Sequence, residues 1–202
     1  MKKVLIAVPC MEQVSARFAQ SLAVIDKTGL TDCLVAFQIG SLVYDSRNKL
    51  ALKAIQSKSD YVLWIDSDMI FERDTLVNLM KDAEEGRDIV AALAFKRVPP
   101  FDPVCYRLDG EGIKPMYDYP DEIFEADAVG FGCVLTKTSV LFEMFTEFGS
   151  CFEPVRGMGE DITFCKRARD MGKKMYVDPK IKTGHVGQLI VNEAAYKATR
   201  SE

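Results

Sequence analysis

Residues 61–68 read Tyr-Val-Leu-Trp-Ile-Asp-Ser-Asp, so five apolar residues run directly into two carboxylates separated by a serine. A short run that is apolar throughout is typical of a strand buried on both faces of a parallel sheet. The acidic turn then follows the carboxyl end of that strand, where open α/β folds place their ligand crevices. The stretch therefore predicts a buried central strand with a polar site at its end.

Short apolar strands alternate with amphipathic helices on either side of this stretch. We predict strands over residues 4–8, 34–39, 61–65 and 89–95. The helices between them have predicted ends, because Ser46 and Asp74 are residues that start helices, and Gly29 and Gly86 are placed to end them. A β-α-β-α-β-α-β order predicts a three-layer α/β/α domain with a Rossmann-like, mainly parallel central sheet.

The regular alternation ends after Lys96. Residues 97–122 contain five of the eight prolines, which predicts turns and short edge strands. Later segments are predicted to form a strand over residues 128–136, a helix over 139–148 and a glycine-containing loop over 153–159. A helix over 161–171, a strand over 174–177 and a weakly helical tail over 187–202 are predicted to follow. Without a repeat or a long linker, residues 1–202 are expected to form one domain.

The composition excludes some classes of protein. The chain has 26 Lys and Arg against 30 Asp and Glu, a net charge of −4, so it lacks the basic field typical of nucleic-acid binding. It contains no run of roughly 18 apolar residues, so we expect no transmembrane segment. Its six cysteines are scattered without a C-x-x-C pair, which favours free thiols and a cytoplasmic location.

Asp66, Ser67 and Asp68 form the first candidate site. Two carboxylates one residue apart in a turn can share a hard divalent cation and leave positions for phosphate oxygens and water. The alternative is a solvated turn before the next helix. His185, the only histidine, lies in a turn of small residues where its imidazole could reach a metal, which would favour Mn²⁺ over Mg²⁺. The alternative for His185 is a structural or exposed side chain.

Glu160 and Asp161 open a predicted helix after a glycine-containing loop. Acidic residues complement the helix dipole there, and a carboxylate in this position could also act as a general base toward an acceptor hydroxyl. Arg47 begins another helix, where it could grip a diphosphate, pair with an aspartate of the metal site, or simply be exposed. Gly130 and Gly132 lack the third glycine of a dinucleotide fingerprint and instead could let an acceptor approach the backbone.

Together these segments resemble the GT-A glycosyltransferases, most closely the inverting family often called family 2. The resemblance covers nearly the whole chain, and its most specific part is the order and spacing of the last motif block. The matching segments are Pro9 after the first strand, residues 46–50, residues 64–69, residues 130–133, residues 159–169, and then Gly172, Pro179 and His185.

The resemblance implies a role for each site residue. Asp66 is expected to contact the donor ribose or a metal-bound water, and Asp68 to bind Mn²⁺ or Mg²⁺ on the diphosphate. By similarity, His185 completes the metal site, so the implied metal residues are Asp66, Asp68 and His185. Asp161 is the implied base, and Glu160 is expected to hydrogen-bond the acceptor. The remaining implied positions are donor-binding at Pro9, Arg47 and Ser67, and acceptor-side at Gly130 and Gly132.

The resemblance implies transfer of a sugar from a nucleotide-diphosphate-sugar, with a UDP-sugar favoured and a GDP-sugar possible. Residues 1–96 would form the nucleotide-sugar and metal-binding half, and residues 97–202 the acceptor-side half with the catalytic loop and the C-terminal tail. The acceptor stays unknown. One alternative is a sugar nucleotidyltransferase, which is disfavoured because residues 9–13 lack a glycine-rich loop. The other is a non-catalytic nucleotide-sugar-binding domain of the same fold.

Overall fold

The strands and helices predicted for the first half are present in the structure, a computed structural model that describes residues 1–110, 112–155 and 157–187. Within these residues the helices are α1 (Ala16–Val24), α2 (Val43–Gln56), α3 (Thr75–Glu84), α4 (Thr138–Phe148) and α5 (Glu160–Asp170). The strands are β1 (Lys2–Cys10), β2 (Leu30–Ile39), β3 (Tyr61–Ile65), β4 (Met69–Phe71), β5 (Ile89–Leu93), β6 (Cys105–Asp109), β7 (Gly112–Pro115), β8 (Phe124–Ala126), β9 (Ala128–Val129), β10 (Cys133–Lys137) and β11 (Met175–His185).

One large sheet organises the domain. Its strands follow the order β2-β1-β3-β10-β5-β11-β4, with β8 also paired to β11. The strands β2, β1, β3, β5 and β11 run in the same direction, whereas β10 is antiparallel to both of its neighbours, β3 and β5. The predicted fold class, a single α/β domain with a mainly parallel central sheet, is confirmed. A small antiparallel sheet of β7, β6 and β9 lies outside it.

The apolar residues of the sheet form a buried cluster on each of its faces. On one face, Ile6 and Leu63 lie in a cluster with Phe18 of α1 and Leu76 of α3. On the other face, Trp64 lies in a cluster with residues of α2, α4 and α5, namely Leu50, Val140 and Phe164. Because side chains alternate along a strand, neighbouring residues of β3 serve opposite layers, and this explains why the whole strand is apolar.

The antiparallel β10 is held by a side-chain contact as well as by its ladder. The indole nitrogen of Trp64 donates to Thr136 Oγ1 at 3.0 Å, and both residues are fully buried. A buried indole N–H needs such a partner. The sequence prediction of one strand over residues 128–136 was wrong, because Gly130, Phe131 and Gly132 form a turn that separates β9 from β10.

Several predicted helix ends also differ. Ser46 does not start α2, because the helix begins at Val43 and Ser46 lies inside it, fully buried. Helix α1 ends at Val24, and Gly29 instead supplies a positive φ of 86° in the turn before β2. The last strand is longer than residues 174–177, since it continues to His185. Apart from Gly187, the predicted tail of residues 187–202 lies outside the described residues.

Two chain-wide expectations bear on the environment of the protein. None of the described helices is long and apolar enough to span a membrane. All six cysteines are free, four of them buried and the other two, Cys10 and Cys33, partly exposed.

A carboxyl pair on α3 and β11 makes the stability of the fold depend on pH. Burial and the nearby charge of Asp178 raise the pKa of Asp82 to about 6, against the opposing charge of Arg87. The folded chain therefore binds a proton at Asp82 more tightly than the unfolded chain, whose pKa is about 4. The stability that this group contributes is complete below about pH 4 and is lost as the pH rises toward 6.

We expect Asp82→Asn to raise the free energy of unfolding at about pH 7.5 by up to about 1 kcal/mol, a figure kept small because solvent screens this partly exposed group. The gain should disappear below about pH 4, where Asp82 is protonated in both states. Urea unfolding at several pH values measures this, with Glu84→Gln on the exposed side of the same helix as the control. An equal gain at every pH would contradict the prediction.

Candidate functional site

The pairing of β4 with β11 brings the only histidine to the acidic turn. The last residues of β11 run antiparallel to β4, so that His185 lies opposite Met69, and Val186 N donates to Asp68 O at 2.7 Å. His185 Nε2 consequently lies 3.2 Å from Asp68 Oδ2. The structure therefore brings together Asp68 and His185, which are 117 positions apart in the sequence (185 − 68 = 117).

The second ring nitrogen of His185 decides what the first can do. His185 Nδ1 lies 3.0 Å from the carbonyl oxygen of Phe95, which can only accept a hydrogen bond. Nδ1 must therefore carry a hydrogen, and in the neutral ring Nε2 then presents its lone pair to the carboxylate of Asp68. Two acceptors facing each other need a proton or a metal cation between them. The pair thus has a donor set that fits a divalent cation.

The contact between Asp68 and His185 shifts the pKa of both side chains. The hydrogen bond to Asp68 raises the pKa of His185, although burial opposes the shift. Burial alone would raise the pKa of Asp68, but the hydrogen bond and charge of His185, with the charge of Arg97, lower it overall. Asp68 is therefore an ionised carboxylate at neutral pH, as a metal ligand has to be.

Asp66 is held differently, by a buried arginine. Arg47 on α2 donates through NH2 to Asp66 Oδ1 at 2.7 Å and through NH1 to Glu160 Oε1 at 2.6 Å. The Arg47 side chain is only 3% exposed, and its guanidinium carbon lies 5.4 Å and 5.8 Å from the ring centres of Phe131 and Phe152. Three roles for Arg47 were considered from the sequence: binding a diphosphate, pairing with an aspartate, or simple exposure. In the structure Arg47 pairs with an aspartate and is buried.

Asn48, next to Arg47, fixes the loop that precedes α5. Its Oδ1 accepts from the backbone N–H groups of Cys151 and Phe152 at 2.9 Å, and its Nδ2 donates to Phe152 O at 2.8 Å. These three bonds hold the ring of Phe152 against Arg47. The role of Asn48 is therefore to order the surroundings of the guanidinium.

Asp161 directly follows Glu160, the residue to which Arg47 donates a hydrogen bond. Burial, followed by the charge of Glu160, raises the pKa of Asp161, and the charge of Arg47 only partly opposes this. Burial thus acts against the helix dipole, which favours the ionised form of a carboxyl at this position. A carboxylate with a raised pKa is a stronger base. Its Oδ1 accepts from Ile162 N at 2.7 Å, which orients the side chain.

The three predicted metal residues do not converge as a set. Asp68 and His185 meet, but Asp66 is turned toward Arg47. Within residues 1–110, 112–155 and 157–187, no group of three or more His, Cys, Asp or Glu residues is arranged to hold a metal. The fit to a cation therefore rests on Asp68 and His185, and the other ligands would come from outside the protein, as phosphate oxygens or water.

Two adjoining cavities share Asp66 and His185. The first, of about 430 Å³, is lined by Pro9, Gly40, Ser67 and Asp68 among others, and we call it the donor cavity after the ligand that the sequence resemblance implies for it. The second, of about 300 Å³, extends from Asp66 and His185 to Gly130, Gly132, Glu160 and Asp161, and we call it the acceptor cavity. All the residues predicted for the site thus line one or both of these cavities at the carboxyl edge of the sheet.

Gly130 and Gly132 leave room for neighbours within the protein. A Cβ at Gly130 would lie 3.1 Å from Val104 Cβ, and one at Gly132 would lie 3.2 Å from Met69 Sδ. Gly132 O also accepts from Asp66 N at 3.1 Å, so the turn anchors the start of the acidic segment. The two glycines therefore allow side chains of the protein itself to pack closely against the backbone at the wall of the acceptor cavity.

Arg97 and Ser46 are among the residues of the donor cavity that were not assigned to the site from the sequence. Arg97 NH1 donates to Asp68 Oδ2 at 2.8 Å, and its only sequence signal is its position soon after a strand that ends at the same edge. Ser46 was predicted as a helix cap, but it is buried and lines this cavity, and a Cβ on Gly40 would come within 2.9 Å of its Oγ. No local pattern distinguishes such a serine from a cap.

Comparison with known proteins identifies the fold. No protein-family model matches the sequence, and no curated protein matches it. The structure is similar to A197 from STIV, with a TM-score of 0.66 and 17% identity, covering 92% of this chain and 86% of that one. It is also similar to GalNAc-T7 solved with UDP, GalNAc and Mn²⁺, with a TM-score of 0.66 and 11% identity, covering 94% of this chain and 44% of that one. The chain has a glycosyltransferase-like GT-A fold.

We expect Arg47→Met to lower the free energy of unfolding by about 3 kcal/mol or more, because it leaves two neighbouring carboxylates without their shared partner. Lys49→Met on the same helix is the matched control, since it breaks the exposed ion pair with Asp45 and should change stability by less than about 1 kcal/mol. Urea unfolding of both variants measures the difference. Similar losses in the two variants would contradict the structural role of Arg47.

Proposed function

We propose that this chain transfers a sugar from a nucleotide-diphosphate-sugar to an acceptor hydroxyl, with a divalent cation and with inversion at the anomeric carbon. The observation that carries the proposal is that the Asp68–His185 pair and Asp161 line two cavities that share Asp66 and His185. The first group suits a metal-bound diphosphate and the second suits removal of a proton. Both are needed when a hydroxyl displaces a nucleoside diphosphate.

The donor nucleotide would occupy the donor cavity. Its nucleoside would lie toward Pro9 and Gly40, and its diphosphate toward Ser67 and Asp68. UDP-sugars are the favoured donors, since the GalNAc-T7 structure of the same fold contains UDP, and GDP-sugars are the second choice. Asp66 would face the ribose or a metal-bound water, in the orientation that Arg47 gives it.

Mn²⁺ or Mg²⁺ would be held by Asp68 and His185. When bound there, the cation neutralises the charge of the departing nucleoside diphosphate as a Lewis acid. The presence of Mn²⁺ in the GalNAc-T7 structure supports this choice of metal. The Nδ1 contact of His185 with Phe95 O would keep Nε2 directed at the cation.

Asp161 would accept the proton of the attacking hydroxyl. The acceptor oxygen forms a bond to the anomeric carbon while the bond from that carbon to the diphosphate oxygen breaks, and the electron pair leaves with the nucleoside diphosphate. One in-line displacement of this kind inverts the anomeric configuration. Glu160 is already bonded to Arg47, so its contribution would be to position Asp161 and the cavity wall.

The metal assignment is tested by Asp68→Ala. Replacing a residue that only hydrogen-bonds to a metal ligand typically changes metal affinity by about 10–100-fold. Loss of a direct ligand should therefore weaken the binding of UDP in the presence of Mn²⁺ by at least about tenfold. UDP binding is measured by calorimetry with Mn²⁺ and with EDTA. Asp109→Ala, an exposed aspartate of β6, is the control and should bind as the unmodified protein does. Unchanged Mn²⁺-dependent binding in Asp68→Ala would refute this site.

The base assignment is tested by Asp161→Asn. We expect normal UDP and Mn²⁺ binding but transfer reduced by about 10²–10⁴-fold, measured as nucleoside diphosphate released from UDP-sugars with acceptor mixtures. In the unmodified protein the rate should fall on acidification at a pH above the usual carboxyl range, because the pKa of Asp161 is raised.

Asp170→Asn, at the exposed end of the same helix, is the control and should keep full activity. Full activity in Asp161→Asn would reject Asp161 as the base, as would a product of retained configuration. Binding of UDP-sugars without any turnover in the unmodified protein would instead favour the non-catalytic alternative.

A further inference from the structure

Arg97 competes for the oxygen that the proposed cation would use. Its NH1 lies 2.8 Å from Asp68 Oδ2, the same atom that His185 Nε2 approaches at 3.2 Å. The guanidinium therefore already supplies a positive charge where a divalent cation would bind. A metal ion and Arg97 could not both occupy that side of Asp68, because the two cations would repel each other at contact distance.

The backbone that leads into Arg97 is held by hydrogen bonds, whereas its side chain is largely exposed. Phe95 O lies against His185 Nδ1, and Lys96 N donates to Asp102 O at 2.9 Å. A Cβ at Gly187 would come within 3.3 Å of Arg97 O, so the end of β11 packs closely against this segment. In contrast, the Arg97 side chain is 59% exposed. It can change rotamer without movement of the main chain.

We propose that Arg97 is an internal cation with two positions, bound to Asp68 before the metal arrives and bound to the donor diphosphate afterwards. This inference rests on the proposed function and adds to it a residue that recognises the diphosphate. Arg97 lines the donor cavity together with Ser67 and Asp68, so a nucleotide in that cavity lies within reach of the side chain.

The energies favour such an exchange. An exposed ion pair contributes little free energy, so a divalent cation readily displaces the guanidinium from Asp68. A planar guanidinium can bind phosphate oxygens through two parallel hydrogen bonds, each stronger than a neutral one. Arg97 therefore weakens metal binding in the absence of nucleotide and strengthens diphosphate binding once the metal is present.

Opposite changes in two affinities test the proposal. In Arg97→Ala, Mn²⁺ alone should bind up to about fivefold more tightly, since its competitor is gone. UDP in the presence of Mn²⁺ should bind about tenfold or more weakly, and uridine should bind as before. Electron paramagnetic resonance titration measures free Mn²⁺, and calorimetry measures UDP and uridine. Arg97→Lys, which keeps the charge without the fork, should restore part of the UDP affinity.

Arg107→Ala is the matched control. Arg107 is an exposed arginine that lies 3.9 Å from the carboxylate of Asp127 and does not line the donor cavity. It should change neither affinity. If Arg97→Ala binds Mn²⁺ and UDP with the same affinities as the unmodified protein, this inference is overturned but the proposed function is not. Weaker binding of both probes would also overturn it, because Arg97 would then support the site instead of competing for it. If the unmodified protein binds neither probe, the proposed function fails first.

Discussion

The buried guanidinium of Arg47 is the interaction on which the geometry of the cleft depends. It joins Asp66, at the end of β3, to Glu160, at the start of α5, and so fixes the acidic turn relative to the helix that carries Asp161. A charge that is almost fully desolvated needs both of these carboxylates. The rings of Phe131 and Phe152 exclude water from it. The donor cavity and the acceptor cavity therefore meet at a rigid boundary.

The two arginines of the cleft illustrate how burial decides the role of a side chain. Arg47 and Arg97 each pair with one aspartate of the acidic turn, at 2.7 Å and 2.8 Å. Arg47 is enclosed, and releasing it would strand buried charges, whereas Arg97 is mostly solvated and can leave its partner at little cost. One aspartate is therefore held in place, and the other, Asp68, stays available to a ligand.

The sequence predicted the fold class and the parts of the site that follow local rules. Apolar strands, helical spacing and the acidic turn after β3 are local patterns, and the large parallel sheet follows from their order. The bond from Arg47 to Glu160, the burial of Ser46 and the antiparallel direction of β10 could not be predicted, because they depend on contacts between residues far apart in the chain. His185 was predicted to reach the metal site from its place in a turn of small residues, and the family resemblance implied the same role. The pairing of β11 with β4, which brings it there, has no local signal.

The position of β10 has a consequence for how the protein is made. Strands β3 and β5 do not pair with each other, and β5 finds its neighbours only in β10 and β11. A nascent chain that has just finished β5 therefore exposes an apolar strand without a ladder partner until residues 133–137 leave the ribosome. Sheets that close through such distant segments fold slowly, and unpaired strands are prone to aggregate. Residues 1–96 therefore cannot complete their own sheet during synthesis.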